Sequence, residues 1–488
     1  MLTACSLDEY PESAISEEEG IVDVASANQA VVGIYAAFKD ASLYSGNLTL
    51  LPDIQADLVY AVNGYSNTYG NIWRWDIQAT NSEVEATYAA LYDVISRSNY
   101  LLDHIEKVRQ ETTTDEDYEQ TLAYEGEARM ARALAYSELI KLFCKSYENE
   151  AQAREALGVV LEDHYRSTNI PKRASLHDSY QFVLDDLEKA EELLKVDDKD
   201  GTMVLYSNWY FSEYVADALR ARIALYMKDW DNAIAYSTKV IDSGYYTLSS
   251  ATTQYSSKYT YFEYMWAYDI ATEIIWTVGF ETTSYGGRLG QVFLNYDWQT
   301  YKPDYVPAKW VLDNYAGSDL RYSTYFYEMT TGYSHALTWP LLIKYYGNQE
   351  FMASYIPMVS MPKPFRLSEQ YLIRAEAYAM KGQYSQAGKD ITTLRKARYS
   401  TYGASTAMNE ETAMEIIEEE RVKELYMEGF RLHDLKRWHK GFARTPQTQS
   451  LSNGSSLKVQ ADDPLFVWPI PRHELESPNS NIQPNESN

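Results

Sequence analysis

The sequence predicts a mainly α-helical protein built from antiparallel helix pairs, interrupted by a long irregular stretch in the middle of the chain. Three observations carry this. Helical periodicity runs from about residue 22 to 245 and returns from about 364 to 440. Within Glu125–Ile140, Ala128, Ala131 and Ala135 share one helix face, and a stripe of small side chains lets a second helix come close. An internal repeat is also present. Ala221-Arg-Ile-Ala224-Leu-Tyr-Met-Lys-Asp-Trp230-Asp-Asn-Ala233 aligns without gaps on Ala375-Glu-Ala-Tyr378-Ala-Met-Lys-Gly-Gln-Tyr384-Ser-Gln-Ala387. Small residues at the crossing and an aromatic opening the second helix resemble the tetratricopeptide hairpin. Further helix pairs are expected at 84–107 with 122–143 and at 177–195 with 213–227.

Between about 246 and 362 the helical period fades and Gly, Pro, Tyr and Trp rise. Tyr285-Gly-Gly-Arg-Leu-Gly290, Lys302-Pro-Asp-Tyr-Val-Pro307 and Tyr355-Ile-Pro357 are turn chemistry, while Ile274-Ile275-Trp276 reads as a short buried strand. A similar stretch, Asn63–Gly70, precedes Trp73-Arg-Trp75. Long irregular segments in a compact protein are usually functional.

Composition narrows the partners. The 488 residues carry a net charge of −27, a field that disfavours nucleic acid and anionic lipid surfaces. No apolar run approaches the roughly 18 residues that span a bilayer. Tyrosine is in excess, with 45 Tyr and 11 Trp against 13 Phe. Phe would fill a dry core equally well, so the excess points to aromatic surface of the kind that stacks on ligands, although most single tyrosines line helix seams.

The seven histidines form neither a His-Glu-x-x-His motif nor a His–Cys cluster. Gly64-Tyr-Ser66-Asn-Thr68 lacks the second glycine of a nucleophile elbow. Asp198-Lys-Asp200-Gly201 would place Val196 and Ser207 at the first and twelfth positions of a calcium loop, and neither suits. With 70 carboxylates, acid–base pairs can be drawn anywhere and carry no information. The expectation is a binder, with no catalytic residue, metal or cofactor.

There are two cysteines. Cys144 ends a helical stretch and reads as a buried apolar residue. Leu2-Thr3-Ala4-Cys5 resembles the lipobox of bacterial lipoproteins, in which the cysteine is acylated after cleavage. The polar, acidic stretch that follows, Ser6–Ser13 and Ser16–Gly20, suits a tether. A whole signal would add a charged and an apolar segment before the box. Neither precedes Cys5, so Met1 is expected to be a truncated or misassigned start.

Three C-terminal blocks resemble the SusD/RagB family of outer-membrane lipoproteins of glycan-foraging Gram-negative bacteria. They are Arg366-Leu-Ser-Glu-Gln-Tyr-Leu-Ile-Arg-Ala-Glu-Ala377; Glu419-Glu-Arg421-Val-Lys-Glu424-Leu-Tyr-Met-Glu428-Gly429-Phe-Arg431-Leu-His-Asp434-Leu435-Lys-Arg437-Trp438; and Trp468-Pro-Ile-Pro471-Arg-His-Glu474-Leu475. The likeness extends to Cys5, the Asp53-to-Asp57 stretch, Tyr92 with Ile95 and Asn99, and Asp186-Leu187 with Ala190. Read as residues, Glu420, Glu424 and Glu428 with Arg421, Lys423 and Arg431 have the spacing of a helix laced by local ion pairs. Gly429 allows a close crossing, and Glu428, Arg431 and Asp434 are expected to form a partly buried structural network.

The resemblance implies four tetratricopeptide-like hairpins forming a scaffold under a less regular, loop-rich half. It implies a tether over 1–20 and one domain over 21–488. In that domain the scaffold occupies about 80–245 and 364–440, ligand-binding parts about 40–80 and 246–362, and a tail 441–488. The scaffold, ending near Trp438, would face a SusC-like TonB-dependent transporter, and Cys5 would carry the lipid that holds the protein on the cell surface. The expected function is capture of an oligo- or polysaccharide for uptake. Peptide capture, as in RagB-like members, and a helical-repeat interaction protein without a small ligand are the alternatives. In family members that bind starch-like glycans, aromatics come from the loop before the first repeat and from the mid-chain insert. Local context then selects Tyr65, Tyr69, Trp73 and Trp75 in the first segment and Tyr285, Tyr296, Trp298 and Tyr301 in the insert, with Asn67, Arg74, Asn81 and Arg288 as hydrogen-bonding groups. Trp298, flanked by Asp297 and Gln299, is the strongest single choice. Trp73 and Trp75, at i, i+2, would share a strand face where core packing competes with binding.

Overall fold

The structure is a computed structural model, and it describes residues 20–195, 208–445, 448, 450–451 and 457–488. Cys5 and the segment resembling a calcium loop lie outside the described residues. The described chain is mainly helical. Two helices of 29 residues each, Ser82–Gln110 and Asp115–Phe143, form the longest hairpin. Asn81 and Thr114 cap them through their side chains. Acidic residues fill both first turns, and Lys107, Arg109 and Lys141 sit in the last ones, opposing the helix dipole. Ala128, Ala131 and Ala135 are fully buried. The stripe is part of something larger, because every residue from Met130 to Ile140 is buried and this helix runs through the middle of the scaffold. The helices Val24–Ala37, Ser82–Gln110 and Leu176–Leu193 all pack on it.

The repeat marks two stacked hairpins, Glu213–Tyr226 with Trp230–Asp242 and Leu367–Met380 with Tyr384–Arg398. Trp230 and Tyr384 are the first residues of their helices. Ala221, Ala224 and Ala233 of one repeat share a buried cluster with Ile373 and Ala377 of the other, so the two copies pack on each other through their small residues. Their turns need a left-handed residue at equivalent positions: Gly382 takes it at φ 71° and Lys228 at φ 58°. Cys144 is a buried free thiol.

The insert has a core of its own, which includes Phe262, Tyr305, Tyr325 and Leu341 together with Val59 and Trp73 from the first segment. Antiparallel strand pairs tie it down: Val59–Ala61 with Tyr305–Pro307, and Ile274–Trp276 with Phe365–Arg366. A third pair, Phe326–Thr330 with Thr338–Leu342, is a hairpin within the insert.

Charge, buried, fastens the insert to the scaffold. Glu424 is fully buried and accepts from Arg366 at 2.9 Å, Arg398 at 2.9 Å and Arg321 at 3.1 Å. Glu273 receives Arg366 and Arg398 from the other side at 2.8 and 2.7 Å. Glu420 pairs with Arg321 at 2.7 Å and Arg395 at 2.6 Å. Burial alone would raise the Glu420 carboxyl, but Arg321, Lys423 and Arg395 pull it down to about 2.

This corrects the local ion-pair reading. The helix Ala413–Glu424 ends at Glu424, and the left-handed residues Met427 and Gly429 reverse the chain, so i+4 spacing lapses before Arg431. Lys423 does pair locally, with Glu419 at 2.7 Å and Glu420 at 3.7 Å, but Glu424, Glu428 and Arg431 take partners remote in sequence. Glu428, Arg431 and Asp434 do not join one another either; they serve three separate sets. Glu428 takes Lys344 at 2.6 Å and Arg366 at 2.7 Å. Arg431 grips Asp57 through two bonds and reaches Glu418 at 2.8 Å. Asp434 receives Arg421 at 2.7 Å and Arg437 at 2.9 Å. Gly429 lies against the helix Asn47–Gln55, where a Cβ would stand 2.2 Å from the Leu48 carbonyl oxygen. Its N–H and that of Arg431 donate to Asp53, whose carboxyl is nonetheless pushed up to about 7 by burial.

Candidate functional site

A short helical turn, Gln291–Leu294, ends at Asn295 in the left-handed region, and the chain then folds into a tight turn. Asp297 closes it by accepting from the backbone N–H of Gln299 at 2.9 Å and of Thr300 at 2.6 Å. The result is a stacked pair: Tyr296 and Tyr301 lie with ring centres 4.6 Å apart and planes within 14°. Trp298 sits at the tip, 47 % exposed, with Tyr296 at 5.5 Å on one side and Tyr355, 81 % exposed, at 5.9 Å on the other. The Tyr301 hydroxyl meets that of Tyr346 at 3.1 Å. Burial raises the Tyr301 phenol above the usual tyrosine range, so it stays a neutral donor and acceptor.

Beyond Tyr301 and Tyr346 opens a pocket of about 420 Å³. Its walls include Tyr259, Tyr327 and Met329, with Trp266 among the lining residues; Ser323, Thr324 and Gln349 add neutral hydrogen-bonding groups. One wall is the helix Tyr261–Tyr268, opened by a capping box in which Glu263 accepts from the Thr260 N–H at 2.8 Å. Tyr264 and Tyr268, four residues apart, stack at 4.6 Å on this helix, and Tyr255 stacks on Tyr264 at 3.8 Å. Lys258 and Glu263 are the ionisable acid and base of the lining. Glu263 is engaged in the cap, and the Lys258 ammonium lies 4.9 Å from the Tyr259 ring centre. The arrangement offers flat aromatic faces and hydroxyls with little charge. Such a surface suits stacking and neutral hydrogen bonding with a ligand.

The sequence-predicted residues divide. Tyr296, Trp298 and Tyr301 come together at this site. Tyr285 is exposed but meets Phe351 edge-on at 5.9 Å, and Gly286 and Gly287 press against the backbone of residues 39–45 instead of forming a loose loop. Arg288 is exposed and does not line the pocket.

The first segment is corrected as a stacking platform. Trp73 is 1 % exposed and Tyr65 is buried; both pack on Tyr305, and the Arg444 guanidinium lies 4.5 Å from the Trp73 ring centre. Trp73 belongs to the helical turn Gly70–Trp73, so the shared strand face never forms. Trp75 faces a different cluster, against Phe442 and Phe466, and donates from Nε1 to Asp463 at 3.1 Å. Tyr69 is half-buried between two cores. Arg74 and Asn67 close the loop on itself: Arg74 donates to the Tyr65 hydroxyl at 2.7 Å and to Asn67 Oδ1 at 2.6 Å. Asn81 is buried as the cap of Ser82–Gln110, accepting from the N–H groups of Glu83 and Val84. Sequence reading missed Tyr259, Trp266, Tyr327, Tyr346 and Tyr355. The helix Tyr261–Tyr268 gives the pocket Glu263, Trp266 and Ala267, while the stacked Tyr264 and Tyr268 are not among the lining residues.

Comparison with known proteins follows the same lines. A model described as SusD family matches residues 276–485, and a SusD-like model described as starch-binding associating with outer membrane matches residues 7–225. A SusD-like protein of Formosa agariphila is 23% identical over 98% of this chain and 90% of its own. The crystal structure of a SusD superfamily protein from Bacteroides thetaiotaomicron superposes with a TM-score of 0.77 at 24% identity, covering 95% of this chain and 100% of the other. A SusD-like carbohydrate binding protein of Bacteroides vulgatus gives 0.74 at 18% identity over 94% and 98%.

Proposed function

We propose, from the premise that this chain belongs to the SusD family, that it captures an oligo- or polysaccharide at the outer membrane and passes it to a SusC-like TonB-dependent transporter. The observation that carries the reading is the aromatic pocket. Pyranose rings present C–H faces that stack on tyrosine and tryptophan, and their hydroxyls match a lining of phenols, Ser323, Thr324 and Gln349. The starch-binding description of the matching model and the carbohydrate-binding relative from Bacteroides vulgatus support the ligand class. The protein acts as a binder and does no chemistry on the sugar. No helix among the described residues is long and apolar enough to cross a membrane. Attachment is assigned to acylated Cys5, and membrane fractionation of a full-length Cys5→Ala precursor tests it: an unchanged membrane share removes the anchor.

The alternative ligand is a peptide, which would add a strand to an open sheet edge. The strand Phe326–Thr330 offers one beside the pocket, since its hydrogen-bonded partner among the described strands is Thr338–Leu342 alone. A glycan array run together with a peptide pool on the protein separates the two. Glycan hits without peptide hits are expected; peptide hits alone would reverse the assignment.

A further inference from the structure

Five tyrosines fall within fourteen residues at the start of the insert: Tyr255, Tyr259, Tyr261, Tyr264 and Tyr268. Their rings form one connected set. Tyr264 stacks with Tyr255 at 3.8 Å and with Tyr268 at 4.6 Å. Tyr261 meets Tyr255 edge-on at 5.4 Å, and Tyr259 meets Tyr268 edge-on at 5.8 Å. The set is not core. Tyr255 is 49 % exposed and Tyr261 45 %, and the other three are only partly buried. Aromatic surface left together in water calls for a binding partner.

The backbone beneath these rings is closed in advance. Gln254 and Thr260 form a bridge, and the Tyr255 N–H donates to the Tyr259 carbonyl at 2.9 Å. Ser256 Oγ accepts from the N–H groups of Lys258 and Tyr259, both at 3.2 Å. Asp297 does the same for the residues two and three further on in the turn that carries Trp298. Two turns of one build thus hold aromatics in place, and groups ordered before a ligand arrives lose little freedom on binding it. Tyr259 joins the set to the pocket of about 420 Å³, which it lines with Lys258 and Glu263. Tyr301 and Tyr346 line the same pocket and lead through Tyr296 to Trp298 and Tyr355. Aromatic surface therefore continues from the pocket along two routes.

We propose that the tyrosines of 255–268 are a second sugar-stacking subsite, which takes units of the same glycan chain beyond those held in the pocket and makes affinity depend on chain length. The proposal rests on the reading of the pocket as a glycan site. A glycan is the occupant because the set is continuous with that pocket through Tyr259, and a chain of pyranose rings repeats the C–H face that tyrosine stacks on. The chain is assigned as neutral. Lys258 is the one cation of the pocket lining, its ammonium lies 4.9 Å from the Tyr259 ring centre, and an acidic sugar would meet no guanidinium there.

The test is titration of the wild-type, Tyr255→Ala/Tyr261→Ala and Tyr301→Ala proteins with malto-, cello-, xylo- and manno-oligosaccharides, from disaccharide to hexasaccharide, with melting temperatures measured alongside. The wild type is expected to gain about tenfold or more in affinity from the shortest member that binds to the hexasaccharide of the preferred series. Tyr255→Ala/Tyr261→Ala is expected to keep wild-type affinity for that shortest member and to bind the hexasaccharide about five- to tenfold more weakly, with its melting temperature held. Tyr301→Ala is expected to lose affinity at every length. A wild type indifferent to length, a double variant that keeps the whole gain, or a loss in the double variant equal at every length overturns the subsite and leaves the pocket standing. Unchanged affinity in Tyr301→Ala, or binding of none of the four series by the wild type, removes the pocket and this inference with it. If the double variant fails to fold, Tyr261→Ala alone carries the same comparison.

Discussion

Residues 63–75 and 295–301 look alike on paper. Both mix tyrosine and tryptophan with glycine or asparagine, and both lie outside the regular helices. In the structure their aromatics have opposite fates. The first segment follows a strand, Val59–Ala61, that pairs with Tyr305–Pro307 across the insert, and that pairing draws Tyr65 and Trp73 down onto Tyr305. The second segment is a turn between two passes of the insert. Asp297 closes the turn locally, so Tyr296 and Tyr301 are only partly buried against the insert's core and Trp298 stays exposed at the tip. What decides whether an aromatic becomes core or platform is where the adjacent backbone finds its hydrogen-bond partners, and that is a long-range property.

The comparison breaks or sharpens most visibly at Trp73. Trp73→Ala is expected to cost about 3–5 kcal/mol of stability, as large-to-small core substitutions do, and to weaken ligand binding only through unfolding. Denaturant melts read the loss. A Trp73→Ala protein of wild-type stability with impaired binding would return the first segment to the site.

Acid titration tests the joint beneath both segments. Glu420 is held at about 2 in the folded protein against an ordinary 4.5, so between those values the unfolded chain binds more protons than the folded one. The ion-pair contribution is complete above about pH 4.5 and is lost as pH falls toward 2, worth at most about 3 kcal/mol for this group. Glu420→Gln is expected to be less stable at pH 6 and to show a flatter acid limb. A limb as steep as that of the wild type would mean other carboxylates dominate.

Asn81→Ala is the smaller structural contrast. Loss of a cap on Ser82–Gln110 is expected to cost about 1 kcal/mol in thermal or denaturant melts. Affinity should be untouched, because Asn81 faces the helix and not the pocket.

These cases also show how much the sequence could say. The helices, the alanine seam and the repeat are local patterns, and they were legible. Asn81 was misassigned to the ligand site, although an asparagine standing before a helical run with glutamate in its first turn has the signature of a cap. The ion-pair joint was not legible. Glu424 draws its partners from residues 321, 366 and 398, and no spacing rule connects them. The pocket failed for the same reason, since its walls come from residues 258–267, 301, 323–329 and 343–349. Tyr296, Trp298 and Tyr301 lie within one turn, and local chemistry sufficed to place them together.

The central claim is that the insert's aromatic pocket, and not the first segment, holds the ligand. The most direct measurement is calorimetric titration of Tyr301→Ala/Tyr327→Ala with the glycan that the array identifies, beside Trp298→Ala. The double substitution is expected to lose at least about tenfold in affinity and Trp298→Ala several-fold, at roughly 0.5–1.5 kcal/mol per aromatic contact, with melting temperatures close to that of the wild type. Wild-type affinity in the double variant, with its melting temperature intact, would contradict the account.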